Sequence, residues 1–352
     1  MLEIVKQIPF IKKIFGTTIL ITGATGMIAS YLVYFFYFLN QLYNAEIKLI
    51  LMVRNNSKVR NVFEDLAENK LVKFYFDDIN APVLVEDNVD YIIHAASLAN
   101  PSYYATNPVE VAMPNVLGTY YLLQLARKKN IKGFLYFSSG NIYGKPVSIK
   151  TEMTEESYGI VDPLMEQSCY GESKRMGENF CVSFFREYGV PIYIARIAHT
   201  YAPTMNIETD PRVFASFMKC LLAKKNIEML SDGSAKRPFL YITDAIVAFL
   251  YILLKGKQGE AYNVSNVENF LSIEDLAECI VGIRPELHLE VIRKQRSVAD
   301  KYVVDKLNKA NCPSNEKLKQ LGWKSSVTIE EGFRRVYKYL VAKDKDKIDT
   351  FR

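Results

Sequence analysis

The stretch Thr18-Ile-Leu-Ile-Thr-Gly23-Ala-Thr-Gly26-Met-Ile-Ala29 decides how this chain folds, and an apolar run of helical period follows it from residue 30 to about 42. A short strand enters a glycine-punctuated turn and then a helix, which is the layout of a dinucleotide pyrophosphate site. Gly23 permits the tight turn, Gly26 lets the backbone approach a ligand, and Ala29 still allows close packing of helix on strand. The same layout also occurs in α/β proteins without a ligand, so the rest of the chain must decide.

Length and composition limit what this turn can belong to. With 352 residues, 49% of them hydrophobic and 24% charged, the chain has room for one large domain and a smaller one. A net charge of +5 is mild for this size. Proteins that bind nucleic acid usually show a clustered basic face, so we expect no nucleic-acid partner.

Cysteine usage and the first residues indicate a cytoplasmic protein. The five cysteines form no CxxC pair and only three histidines occur, which argues against disulfides and metal sites. Residues 1–16 are apolar but interrupted by lysines, so they fit neither a signal peptide nor a membrane span. We predict an extension packed on the body, with a membrane-surface anchor as the alternative, and a frayed tail at 343–352.

Strands and helices alternate along the chain. Strands are predicted at 18–22, 46–53, 71–76, 90–94, 133–137 and 192–196, and a long helix at 108–128. Strands separated by helices imply a doubly wound parallel sheet, which is an α/β fold of the Rossmann type. Ligands bind such sheets at the carboxyl ends of the strands.

Residues just after the strands are therefore the predicted cofactor contacts. Arg54 follows the second strand, at the position where an acidic residue would hold the ribose of NAD. A guanidinium there suits the 2′-phosphate of NADP instead. The alternatives are that the cofactor is NAD or that Arg54 is solvated surface charge. Small residues after the fourth strand let the chain pass close to a cofactor. The full predicted set adds Tyr170 and Lys174 from a later helix to the residues at the strand ends: Gly23, Thr25, Gly26, Met27, Ile28, Arg54, Asp78, Ile79, Ala95 and Ala96.

The predicted chemistry follows the fifth strand and opens a later helix. Ser138 and Ser139 end the strand, and Tyr170 and Lys174 lie four apart, on one helical face. An ammonium beside a phenol lowers the pKa of the phenol, which makes it a usable general base near neutral pH. Ser139 could hold the same substrate oxygen by a hydrogen bond.

Together these motifs resemble the extended short-chain dehydrogenase/reductase family, which contains nucleotide-sugar epimerases, dehydratases and decarboxylases. The likeness runs from about residue 17 to about 340. Segments 159–163, 168–175, 196–203 and 232–244 are most similar to UDP-glucuronate decarboxylases. The resemblance implies a Rossmann domain at 17–200 to which 237–265 contribute, and a smaller C-terminal α/β lobe at 201–342 that binds substrate.

The resemblance also implies roles for single residues. Ser139, Tyr170 and Lys174 would be catalytic, and Asn115 would support them from the cofactor domain. The substrate, a nucleotide-diphosphate sugar, would contact Ser139, Asn141, His199, Arg212 and Arg237. His199 stands where the family usually has asparagine, and a structural histidine is an equal alternative; for Arg212 and Arg237 the alternative is solvated surface charge.

The resemblance leaves the reaction open. Dehydratases carry an Asp-Glu pair, and decarboxylases a Glu, where this chain has Gly140 and Asn141, although Glu152, Glu155, Glu156 or Glu166 could substitute. We therefore expect oxidation of the sugar at C4 followed by 4-epimerisation or simple C4 redox. Decarboxylation, dehydration and a non-catalytic NAD(P)-binding role are the alternatives. The resemblance also implies a homodimer, in which the long helices at 108–128 and 170–189 pair as a four-helix interface through the exposed-looking aromatic residues Tyr120, Tyr121, Phe180 and Phe184.

Overall fold

The computed structural model contains the parallel sheet predicted from the alternation of strands and helices. It describes residues 1–145, 152–229, 231–294 and 312–350, with side chains through residue 343. The strands in these ranges are β1 Thr18–Thr22, β2 Lys48–Val53, β3 Val72–Phe76, β4 Tyr91–His94, β5 Gly133–Ser139, β6 Glu152–Met153, β7 Ile192–Ile197, β8 His199–Tyr201, β9 Ile227–Met229, β10 Lys236–Tyr241, β11 Glu260–Val264, β12 Phe270–Ser272, β13 Val291–Arg293 and β14 Cys312–Pro313. The α-helices are α1 Leu2–Gln7, α2 Met27–Tyr43, α3 Asn56–Phe63, α4 Ser102–Thr106, α5 Pro108–Met113, α6 Thr119–Lys129, α7 Ser168–Tyr188, α8 Val213–Leu222, α9 Ile242–Lys255, α10 Ile273–Val281, α11 Glu316–Gln320 and α12 Ile329–Thr350.

Seven strands form one parallel sheet in the order β3-β2-β1-β4-β5-β7-β11. Its central strands are aliphatic and buried on both faces, because helices cover both sides of the sheet. The strand order reverses between β1 and β4, so a crevice opens at the carboxyl ends of these two strands. This crevice is where the glycine turn lies.

The remaining strands form small sheets. Strands β8, β9, β10, β12 and β13, with the helices packed on them, are named the second lobe, and β6 pairs separately with β14. β10 pairs with β8 in parallel and with β12 in antiparallel fashion, and β9 pairs with β13. The rings of Tyr201 and Phe333 stack at 4.2 Å between centroids and fasten α12 to this lobe. Residue 230 and residues 295–311, which the domain prediction places in this lobe, lie outside the described residues.

Two predicted elements differ from the structure. The single helix predicted over 108–128 is interrupted by a π turn at Pro114–Gly118, because Pro114 has no N–H to continue the α-helical hydrogen bonds. The tail predicted to fray from residue 343 instead continues α12 through Thr350, while residues 351–352 lie outside the described part.

The N-terminal segment is packed into the core. Ile4 and Ile8 have no exposed surface, and the hydroxyl of Tyr251 on α9 donates to the carbonyl of Gln7 at 2.9 Å. Arg335 of α12 pairs with Glu3 at 2.8 Å, so the segment contacts both the helix beneath it and the second lobe. Across the described residues we find no helix with the length and apolar character needed to cross a bilayer.

We predict that Ile4→Ala lowers the free energy of unfolding by about 2–5 kcal/mol, because alanine keeps the helix but leaves a cavity against α9. Leu2→Ala is the matched control in the same helix, since Leu2 is 56% exposed; it should change stability by no more than about 0.5 kcal/mol. Urea unfolding of both variants measures the difference. Equal stability of the two variants would show that the segment is only loosely attached.

Candidate active site

The glycine turn is shaped by its backbone conformation. Gly23 has a φ of 62°, which favours glycine, and a Cβ there would lie 2.6 Å from the Cα of Ala96. Gly26 is the N-cap of α2 and no side chain caps this helix. The N–H groups of its first turn are therefore available to an anion. The other predicted contacts in this turn are half-buried: Thr25, Met27 and Ile28.

The end of β4 closes one side of the crevice. The Oγ1 of Thr22 lies 2.8 Å from Nδ1 of His94, and Nε2 of His94 lies 3.1 Å from Thr119 Oγ1. Burial, with a contribution from the nearby Lys174, lowers the pKa of His94 to about 3. His94 is thus a neutral structural residue that fixes the strand end. The predicted cofactor contacts that follow it are half-buried: Ala95 and Ala96.

The outer strand ends carry the remaining predicted cofactor contacts. Arg54 is exposed directly after β2 and makes no hydrogen bond or ion pair with another described residue. Asp78 is exposed after β3, and its carboxylate accepts a bond from the N–H of Asn80 at 3.0 Å. Ile79 is buried, with its side chain against Gly118 of the π turn. Any contact from Ile79 to a ligand would therefore come from its backbone.

The structure brings Ser139, Tyr170 and Lys174 together. Tyr170 and Lys174 lie one turn apart on the face of α7 that packs on β5, and the Nζ of Lys174 donates to the carbonyl of Phe137 at 2.7 Å. This Nζ is 5.9 Å from the centre of the Tyr170 ring. Ser139, the last residue of β5, is within hydrogen-bonding reach of the Tyr170 phenol.

Burial changes the pKa of both ionisable groups. Desolvation lowers the pKa of Lys174 to about 7, while the charge of Glu178 opposes this change. Desolvation also raises the pKa of Tyr170, and the bond to Ser139 only partly offsets it. The predicted lowering of the phenol pKa by the ammonium is therefore not found in the protein itself. The reason is that both groups are withdrawn from water, which disfavours the charged form of each.

Sequence reasoning missed Tyr104, which stacks on the tyrosine of the site. The rings of Tyr104 and Tyr170 are 5.1 Å apart and nearly parallel, at 12°. The Tyr104 hydroxyl donates to the carbonyl of Ala99 at 3.1 Å, which fixes the ring. No sequence motif marks Tyr104, because the stack depends on how α4 packs against α7.

Asn115 supports the same helix from the π turn. Its Nδ2 donates to the Oγ of Ser173 at 3.0 Å, and the Ser173 hydroxyl also bonds the carbonyl of Tyr170. Asn115 is fully buried, and its side chain thus connects the π turn to α7. Such local widening of a helix is frequent at functional sites.

The second lobe contributes a cluster of basic residues. His199 is exposed, and desolvation by surrounding protein atoms, together with the charges of Arg237 and Arg212, lowers its pKa to about 3. Arg237 is half-buried, and burial lowers its pKa. Arg212 is already paired with Asp210: its Nε donates to Oδ1 at 2.9 Å and to Oδ2 at 3.0 Å, and its Nη2 donates to Oδ2 at 2.5 Å. The cluster places a positive potential beside a neutral imidazole, which suits an anionic ligand.

The position of the missing carboxylates is occupied by an exposed amide. Asn141 lies in the one-turn helix after β5, and its N–H donates to Ser139 Oγ at 3.2 Å. Among the possible substitutes, Glu155 is buried and accepts a bond from the N–H of Asn263 at 2.7 Å. It therefore serves a structural network. Glu156 and Glu166 are exposed, and the side chain of Glu152 lies outside the described residues.

The aromatic residues predicted as an exposed helix face are partly covered by one another. Phe184 is only 6% exposed, so the prediction was wrong for this residue. Tyr120 lies between Phe180 and Phe184, with ring centres 5.9 and 6.0 Å away. Tyr120 itself keeps 36% of its surface exposed, and Tyr121 is half-buried.

A sequence profile described as the NAD dependent epimerase/dehydratase family matches residues 19–265. UDP-glucuronic acid decarboxylase 6 of Arabidopsis thaliana is 31% identical over 89% of this chain and 86% of that protein. The dTDP-D-glucose 4,6-dehydratase of Homo sapiens is 28% identical over 92% of this chain and 90% of that protein.

Solved structures share the fold. UDP-glucose 4-epimerase of Thermotoga maritima superposes with a TM-score of 0.76 at 24% identity, covering 93% of this chain and 99% of that one. UDP-glucuronic acid 4-epimerase of Bacillus cereus, in complex with NAD, gives a TM-score of 0.74 at 21% identity, covering 92% and 99%.

In the part of this chain that is described, acidic, histidine and cysteine side chains form no group able to hold a metal ion.

The buried Lys174 should make stability depend on pH. Its pKa is about 7 in the folded state and about 10.4 in an unfolded chain, so between these values the unfolded state binds more protons and stability rises with pH. We expect Lys174→Met to stabilise the protein by ~1–3 kcal/mol at about pH 6, and the gain to shrink towards pH ~10. Urea unfolding of the wild-type protein and of Lys174→Met across this pH range measures the difference in their stability. The exposed Lys128→Met is the control, and a gain independent of pH would contradict the argument.

Proposed function

We propose, since this chain belongs to the NAD dependent epimerase/dehydratase family, that it is an enzyme which oxidises C4 of a nucleotide-diphosphate sugar. The observation that carries the proposal is the meeting of Ser139, Tyr170 and Lys174 at the carboxyl end of β5, beside the glycine turn. The three groups suit removal of a proton from a sugar hydroxyl.

The residues of the crevice fit a dinucleotide. The contact between Gly23 and Ala96 leaves no room for a side chain, and the uncapped start of α2 presents N–H groups to a pyrophosphate. We assign to Lys174 a contact with the nicotinamide ribose, since its bond to Phe137 uses only one of the three N–H donors of the ammonium. A bound nicotinamide cofactor would supply the acceptor for the hydrogen that leaves C4.

Proton transfer is assigned to the tyrosine. The phenol of Tyr170 takes the proton of the C4 hydroxyl, and Ser139 holds the same oxygen by a hydrogen bond. The hydrogen bond from Ser139 partly offsets the burial that raises the pKa of Tyr170, and the positive charge of a bound oxidised nicotinamide ring would lower that pKa further. Tyr104 keeps the phenol in place by stacking on its ring.

The fate of the 4-keto sugar distinguishes the possible reactions. Elimination of water needs an acid for the leaving hydroxyl and a base for the neighbouring carbon. Gly140 and the amide of Asn141 supply neither, and Glu155 is engaged elsewhere. Return of hydrogen to C4 needs no further ionisable group, so we assign 4-epimerisation or simple C4 redox as the leading reaction.

Decarboxylation is the second candidate, and sequence similarity favours it. The decarboxylase from Arabidopsis thaliana named above aligns over 89% of this chain. A 4-keto uronic acid is a β-keto acid, which can lose carbon dioxide without protonation of a leaving group. The basic cluster of His199, Arg212 and Arg237 would hold the diphosphate of either substrate.

We also propose that the protein is a homodimer paired through α6 and α7. The exposed aromatic surface of Tyr120 and the neighbouring Met176, 45% exposed, lie on these helices. Light scattering at micromolar concentration tests this, and a monomeric mass would exclude it.

The reaction is tested with a panel of UDP-, GDP-, CDP- and dTDP-sugars, including uronic acids, read by mass spectrometry and NMR. An inverted C4 at unchanged mass indicates epimerisation, and loss of carbon dioxide or of water indicates the alternatives. With the substrate found, Tyr170→Phe should reduce turnover by ~10²–10⁴ while binding survives, because only the hydroxyl is lost. Tyr188→Phe, at the far end of the same helix, is the control. Full turnover by Tyr170→Phe would place the active site elsewhere.

We propose a preference for NADP over NAD, based on Arg54 at the end of β2. Arg54→Asp should weaken the binding of NADP by ~1–3 kcal/mol, which is the scale of a charge-assisted contact, and should leave the binding of NAD little affected. Lys48→Asp makes a similar charge change at the opposite end of the strand and should alter neither affinity. Calorimetric titration with NADP and with NAD measures both affinities. If Arg54→Asp weakens the binding of both cofactors equally, or of neither, the proposed preference for NADP is refuted.

A further inference from the structure

Three residues on one face of α7 each contact one of the last three residues of β5. Tyr170 contacts Ser139, Lys174 donates to the carbonyl of Phe137 at 2.7 Å, and the Oε1 of Glu178 accepts a bond from the Oγ of Ser138 at 2.5 Å. Two of these contacts belong to the proposed chemistry. The third, made by Glu178, has no role in it.

We propose that Glu178 is a positioning residue of the active site, which holds the end of β5 and the ammonium of Lys174 in place for Ser139 and Tyr170. This inference rests on the proposed function. It concerns a residue that does not touch the sugar or the cofactor and acts through its neighbours.

Glu178 can hold the strand because it is itself fixed. Arg196 on β7 binds it with two hydrogen bonds, from Nε to Oε1 at 3.0 Å and from Nη2 to Oε2 at 2.8 Å. The side chains of Arg196 and Glu178 are only 7% and 12% exposed. A buried, bidentate pair of this kind has one geometry, because moving either partner would leave a charge without compensation.

The same arginine anchors the chain on the other side of Ser139. Nη1 of Arg196 donates to the hydroxyl of Tyr143 at 3.1 Å, and Tyr143 ends the one-turn helix that follows β5. The Tyr143 hydroxyl donates in turn to Asn263 Oδ1 at 2.5 Å. Ser139 therefore lies between Ser138, held by Glu178, and Tyr143, held by Arg196. A shift of about 1 Å in a reacting group can cost ~10²-fold in rate, so this anchoring matters for catalysis.

Glu178 also supplies charge. The titratable groups that surround Lys174 come from α7, β5 and β4: Tyr170, Glu178, Cys181, Tyr136 and His94. His94 is neutral because its pKa is about 3, and burial raises the pKa of the Cys181 thiol and of both phenols. Glu178 is therefore the carboxylate of this set, and it favours the ammonium form of Lys174.

Glu178→Gln tests the charge, because glutamine keeps the shape and an acceptor for Ser138. Competitive labelling of lysines with acetic anhydride, read by mass spectrometry at Lys174, reports the titration of this residue without substrate. We expect the midpoint to move to lower pH by ~1 unit, as expected for loss of a nearby opposite charge. We also expect kcat to fall ~10–10²-fold with KM nearly unchanged. Glu187→Gln, exposed on the same helix, should change neither quantity.

Ser138→Ala tests the alignment, because it removes the link to the strand and leaves the pair of Glu178 and Arg196 intact. We expect kcat to fall while the titration of Lys174 stays at its wild-type midpoint. If Glu178→Gln does not fold, Ser138→Ala alone decides the question. Wild-type kcat in Ser138→Ala, or wild-type kcat and titration in a folded Glu178→Gln, would overturn the inference.

The two proposals fail in different ways. If wild-type protein converts no nucleotide sugar, the proposed function fails. The labelling of Lys174 still reports whether Glu178 sets its charge, and an unchanged midpoint in Glu178→Gln then overturns the inference by itself.

Discussion

The hydrogen bond between the Lys174 ammonium and the carbonyl of Phe137 is the interaction on which the site depends. It holds a cation, only 2% exposed, at the end of β5, where burial disfavours the charged form. The surrounding fold compensates for the burial of the ammonium with oriented oxygen atoms, which belong to the Phe137 carbonyl and the Glu178 carboxylate. Burial of this ammonium beside Tyr170 therefore lowers the stability of the folded protein, as is common for functional residues.

The sheet determines where this arrangement can lie. All seven strands run in parallel, so their carboxyl ends share one edge, and the reversal of strand order next to β1 opens the crevice there. The close approach of Gly23 to Ala96 narrows the crevice on the side of the glycine turn. On the other side β7 continues almost directly into β8, which carries His199 into the second lobe. One short connection therefore joins the cofactor edge of the sheet to the basic cluster.

Proteins of this fold carry out different reactions, because the fold fixes the common parts and a few side chains decide the rest. The epimerases from Thermotoga maritima and Bacillus cereus share this chain's architecture, while the decarboxylase and dehydratase relatives share more of its sequence. What separates the reactions chemically is the presence of an acid or base near the sugar. In this chain we propose that the exposed amide of Asn141 occupies that place, next to the anchored Ser139.

Features that depend on neighbours along the chain could be predicted from the sequence. The strands, the glycine turn and the pairing of Tyr170 with Lys174 follow from local periodicity and from the spacing of one helical turn. The fold was needed to find three further features: the stack of Tyr104 on Tyr170, the raised pKa of the phenol, and the network from Ser138 through Glu178 to Arg196. These features join separate elements, so they depend on how helices pack against strands and on how much water the packing excludes, neither of which a local pattern contains.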